Sequence, residues 1–105
     1  MVFFDEGKKV ELGGKTFIVH RAPATVAYNA AIEYNMGQEA KDASAIMKCI
    51  YMLLKYVELV LDDGRKITLD SQEIINQHIH DMSALLELQK EVVTANFTSS
   101  PKENR

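Results

Sequence analysis

The sequence predicts an α+β fold, predominantly α, with three main helices and two short β-hairpins. Three observations carry that expectation. Apolar residues recur at intervals of three and four over residues 38–56, and again after Asp70; Gly13-Gly14 stands between two β-favouring runs; and Asp62-Asp63-Gly64 interrupts a second alternating stretch. At 105 residues, one globular domain is expected over 1–97, because two independent cores would each bury too little apolar surface. A hydrophobic fraction of 47% and a charged fraction of 26% suit a folded chain rather than a disordered one.

Residues 9–20 read as the first hairpin, since paired glycines accept the positive φ of a two-residue turn. Arg21-Ala22-Pro23 breaks the strand, and Pro23 suits the start of a helix, where its missing N–H costs nothing. That helix is expected to reach Met36 and stop at Gly37, with Ala27, Ala30, Ala31, Val26 and Tyr34 on an inner face small enough for close approach. The second helix, 38–56, presents Ala43, Ile46, Met47, Ile50, Leu53, Leu54 and Val57 and is the expected core helix. Val57, Leu59 and Leu61 before the Asp-Asp-Gly turn, and Ile67 and Leu69 after it, predict the second hairpin. Asp70 with Glu73 resembles a capping box and opens a third helix expected to run to Thr94. Residues 98–105 lack apolar periodicity and are expected to form a flexible tail.

Charge and composition narrow the function classes. A net charge of −3 and a pI near 5.6 give no general attraction to phosphate backbones, and Lys8, Lys9 and Lys15 are interleaved with Asp5, Glu6 and Glu11. No nucleic-acid partner is expected, and no helix has the basic face of a recognition helix. The opening Met-Val-Phe-Phe meets Asp5 and Glu6 at once, unlike a signal peptide, and no apolar run nears the roughly 18 residues that span a bilayer. No membrane partner is expected. Cys49 is the single cysteine, which fits a reducing compartment, with the cytoplasm as the default. Asn96-Phe97-Thr98 matches a glycosylation sequon but is read as accidental in a chain without a secretion signal.

Catalytic, cofactor and metal signatures are absent from the sequence. His78 and His80, two residues apart on a helix, point about 200° away from one another and cannot chelate one ion. His20 ends a strand with no neighbouring ligand type and reads as an ordinary polar residue. The Asp62-Asp63-Gly64 segment lacks the alternating oxygen ligands of a calcium loop, and turn chemistry accounts for it. Cys49 lies among Ile46, Ile50 and Leu53, where a thiol behaves as a small hydrophobe. No nucleophile elbow, P-loop or dinucleotide fingerprint occurs, so no enzyme and no cofactor are expected.

The last helix carries the functional expectation. Ile75, Ile79, Met82, Leu86 and Val93 form one apolar stripe, and Ile74, Leu85, Leu88 and Val92 a second beside it, a wider arc than one core contact requires, so the helix is either wedged between two elements or leaves part of the arc for a partner. Met82, Leu85, Leu88 and Val92 are the expected protein-binding residues. Residues 70–97 also hold five acids, Asp70, Glu73, Asp81, Glu87 and Glu91, against Lys90 alone; such a face either keeps the chain soluble or steers a basic partner. Met36, Met47, Met52 and Met82 either fill core gaps or line an adaptable groove.

The order of these elements resembles a known family. Phe17-Ile18-Val19, the Arg21-Ala22-Pro23 helix start, two helices, Lys55-Tyr56-Val57-Glu58, Asp63-Gly64, Ile67-Thr68-Leu69-Asp70 and a terminal Ala95-Asn96-Phe97 together look like the small tail assembly chaperones of long-tailed bacteriophages. The likeness covers residues 9–97 as a general pattern rather than a diagnostic motif. It implies a non-enzymatic protein of the host cytoplasm, absent from the finished virion, that binds the tape-measure protein and helps tail-tube subunits assemble around it. In families of this kind a longer form is often made by ribosomal frameshifting near the end of the short reading frame, and residues 98–105 fit such a junction. Homo-oligomerisation is compatible with the same apolar surface. The competing reading is a small structural virion protein such as a head–tail joining component.

Overall fold

The computed structural model describes Phe3 and residues 5–97; the expected tail, 98–105, lies outside them. Two antiparallel strands, β1 (Lys8–Leu12) and β2 (Lys15–Val19), meet at Gly13-Gly14, whose φ values of 58° and 78° are those a tight hairpin turn demands. Two helices follow, α1 (Ala24–Ala40) and α2 (Ala43–Leu54), and then β3 (Val57–Val60) and β4 (Lys66–Thr68). The chain closes with α3 (Gln72–His78) and α4 (Met82–Phe97). The class is α+β, as expected, but with four helices and a single sheet among the described residues.

The two hairpins join edge to edge in the order β1-β2-β3-β4, with the α1–α2 pair forming the connection between β2 and β3. Phe17 pairs with Leu59 and Val19 with Val57, so these four side chains share one face, and all four are buried. Leu53, Leu54 and Cys49 of α2, Leu88 and Val92 of α4, Ala30 of α1 and Ile75 of α3 belong to the same core. One continuous core thus draws on both sheet and helices.

Several helix boundaries differ from the sequence expectation. Gly37 does not stop α1; the helix continues to Ala40 and ends with Lys41 at φ 55°, where Lys41 N donates to Gln38 O (3.2 Å) and Asp42 N to Gly37 O (2.8 Å), a Schellman closure. Gly37 is instead buried against α2. A Cβ there would stand 3.0 Å from Ile46 Cγ1, so the glycine is a site of close helix contact. α2 then starts at Ala43 rather than 38, because Asp42 caps it by accepting from Ala45 N.

The expected single helix from Asp70 to Thr94 is two helices. Ser71, not Asp70, caps α3, its Oγ accepting from Ile74 N at 3.2 Å. Ile79 turns to extended geometry, and Asp81 opens α4: its Oδ1 accepts from Ser83 N at 2.9 Å while its carbonyl accepts from Leu85 N. The apolar spacing barely changes across this break, so the amphipathic pattern alone does not reveal it. No helix among the described residues is long and apolar enough to cross a membrane.

Candidate protein-binding surface

The two apolar stripes expected on the last helix have opposite fates. Leu88 and Val92 are 0% exposed and belong to the core, facing α2 and the sheet. Their assignment to a binding surface is therefore corrected: one turn apart, they form the face by which α4 is attached to its own fold. Leu85 is half-buried against the same core. Met82 is 74% exposed and Leu86 50%, so the uncovered apolar surface lies on the neighbouring stripe. Ile75 and Ile79, once counted in that stripe, belong to α3 and its end and do not continue it.

Beside Leu86 runs an open groove of about 330 Å³ between α1–α2 and α4, walled by Tyr34, Ile46, Ile50, Leu86 and Val93, with Gln89, Lys90 and Thr94 at its edge. Its local construction follows from the helix spacings. Ile46 and Ile50 are one turn apart on α2, and Leu86, Lys90 and Val93 fall on one side of α4. Tyr34 is held by Phe97, the ring centroids 5.4 Å apart and tilted by 42°. Lys90 reaches Glu87 at 3.6 Å, an exposed pair of little energetic weight. The groove thus has an apolar floor and a mixed polar rim.

The acidic character of α4 is weaker in space than in sequence. Lys8 Nζ, brought across by β1, contacts Glu91 Oε1 at 3.0 Å, and Asp81 is engaged at its helix cap. A ridge of five free acids is therefore not presented to a partner.

Several polar groups elsewhere serve the fold. His20 is buried on the outer face of the sheet, its Nδ1 3.0 Å from Asp5 Oδ1 and its Nε2 2.8 Å from Glu58 Oε1, with Phe3 stacked on the ring at 3.7 Å. Asp5 Oδ2 also accepts from Arg21 N, and Gly7 passes so close that a Cβ there would lie 2.5 Å from Ile18 Cγ2. Both ring nitrogens face carboxylates, and both can donate only when the ring carries two protons. No ring position is left for a metal or substrate. The arrangement clasps the N-terminal segment across the sheet, and sequence reasoning missed it because Asp5 and Glu58 lie far from His20 along the chain.

Asn96 is likewise occupied: Oδ1 accepts from Ala22 N at 2.8 Å and Nδ2 donates to Val92 O at 2.9 Å, tying the end of α4 to the entrance of α1. Its amide serves the fold; Thr98 of the sequon lies outside the described residues. Cys49 donates its thiol to Ala30 O at 3.0 Å, and burial, reinforced by the Glu33 carboxylate, pushes the thiol up to about 11. It is a core residue and a poor nucleophile. In the β3–β4 turn, the backbone N–H of Arg65 and then its guanidinium hold the Asp63 carboxyl below its usual range. Arg65 occupies both Asp63 oxygens, at 3.0 Å and 2.7 Å. Among the described residues no cluster of three or more His, Cys, Asp or Glu is placed to hold a metal ion.

Comparison with protein-family models, with curated proteins and with solved structures gives no match.

Proposed function

We propose that this chain is a non-enzymatic protein-binding protein of the tail-assembly-chaperone kind, which shields apolar segments of a helical tape-measure protein while tail-tube subunits assemble. The observation that carries the reading is Leu86, half-exposed at a groove lined by Ile46, Ile50 and Val93, with Met82 exposed one turn before it on α4. An amphipathic helix lays apolar side chains spaced three and four apart into such a groove, and a long helical chain offers many of them. The groove is open and shallow rather than enclosed, which suits binding that must be released when the tube closes. The resemblance over residues 9–97 supplies the partner's identity, and the host cytoplasm is the corresponding site of action.

Co-expression with a tape-measure protein tests this reading. The two should co-purify, and the Leu86→Asp variant should lose the partner while keeping its melting temperature. Mass spectrometry of purified virions should find the chain absent; its stoichiometric presence there would favour the head–tail joining alternative.

A further inference from the structure

The outer side of α1 carries a second uncovered apolar row that the groove does not use. Tyr28, Ile32 and Met36 are 68%, 40% and 62% exposed and stand four residues apart, on the side of the helix away from buried Ala30 and Gly37. Glu33 and Glu39 are the only charged residues of this 17-residue helix, a poverty of charge typical of the centre of a protein interface. From this pattern we infer that α1 pairs antiparallel with α1 of a second copy of the chain, with Ile32 on the two-fold axis.

The pattern fits its own inverse. Reversing the helix about Ile32 sets Tyr28 against Met36 of the other copy, Asn29 against Asn35, and Thr25 against Glu39. Each member of the last pair lies seven residues from the axis, about 10.5 Å at the helical rise. The first two pairings join an aromatic ring to a thioether and an amide to an amide, both favourable.

The third pairing supplies charge complementarity. The amino end of α1 follows Pro23, has no side-chain cap and no acid in its first turn, so its leading N–H groups and positive dipole end stand without a compensating carboxylate on the helix itself. The carboxyl end carries Glu39 in its last turn, with Lys41 following as its C-cap. Two antiparallel copies bring each Glu39 to the amino end of the opposite α1, where it faces N–H groups that no side chain caps. A heterologous helix would need the same acid at the same offset, whereas a second copy has it already.

Analytical ultracentrifugation of the full chain tests the inference. A concentration-dependent monomer–dimer equilibrium is expected. Ile32→Asp should shift it at least tenfold toward monomer with unchanged circular dichroism, because Ile32 is exposed on the isolated chain. Ile32→Cys should form a disulfide-linked dimer under mild oxidation faster than Glu73→Cys, an exposed position on another helix. Cys49, buried and protonated, does not compete. A chain that stays monomeric at about 1 mM overturns the inference. So does a dimer that survives Ile32→Asp, or one lost only in Leu86→Asp, which would place self-association in the groove. The tape-measure pull-down reads Leu86 and is independent of this result.

Discussion

Two rows of apolar side chains on α4 differ in almost nothing but their surroundings. Leu88 and Val92 are sealed between α2 and the sheet, while Met82 and Leu86, one step around the helix, stand largely in solvent. Burying a side chain of this size stabilises by about 1.5–3 kcal/mol. The first row has drawn that stabilisation from the chain's own fold, and the second can draw it only from another molecule. Apolar character on a helix therefore identifies a candidate contact, and only the neighbouring elements decide whether the contact is internal.

Variants can break or sharpen this comparison. Leu88→Ala should have the largest effect, about 2–5 kcal/mol by chemical denaturation, since it opens a cavity where no solvent reaches. A loss below about 1 kcal/mol would mean that the inner row is not packed as described. Asn96→Ala should cost about 1–3 kcal/mol by leaving Ala22 N–H without its acceptor at the point where α4 meets α1. Asp81→Ala should cost about 1 kcal/mol, through loss of the cap that starts α4 and so fixes which row turns inward. Leu86→Asp should lie within about 0.5 kcal/mol of the parent chain, the expectation for a surface position.

Much of the fold was legible because it rests on local rules. The Gly13-Gly14 turn, the Pro23 helix start and the three-and-four spacing of Ile46, Ile50, Leu53 and Leu54 each act over a few residues. The break at Ile79–Asp81 was hidden because Ile75, Ile79, Met82 and Leu86 keep helical spacing across it, and only the capping chemistry of Asp81 and Ser83 marked the join. Gly37 misled for a related reason: a glycine near a helix end suggests a stop, but here the close approach of Ile46 requires it inside the helix. Lys41, with no sequence signal for a left-handed residue, takes the terminating role.

The candidate surface was legible in kind but not in position. Two stripes could be seen on the last helix, yet nothing in the residues 82–97 distinguishes the row that is buried from the row that is not. The His20 clasp was invisible for a different reason, because its partners are 15 and 38 positions away. Joining the hairpins into one sheet depended on the same kind of long-range pairing, Phe17 with Leu59 and Val19 with Val57.

The most direct test of the binding row is a nuclear magnetic resonance titration of the isotopically labelled chain with an amphipathic helical segment of a tape-measure protein. Shifts should concentrate at Tyr34, Ile46, Ile50, Leu86 and Val93, and should vanish in Leu86→Asp while its unbound spectrum stays folded. Saturable shifts confined to the outer sheet face around Ile18 and Glu58, or undiminished binding by Leu86→Asp, would contradict the account.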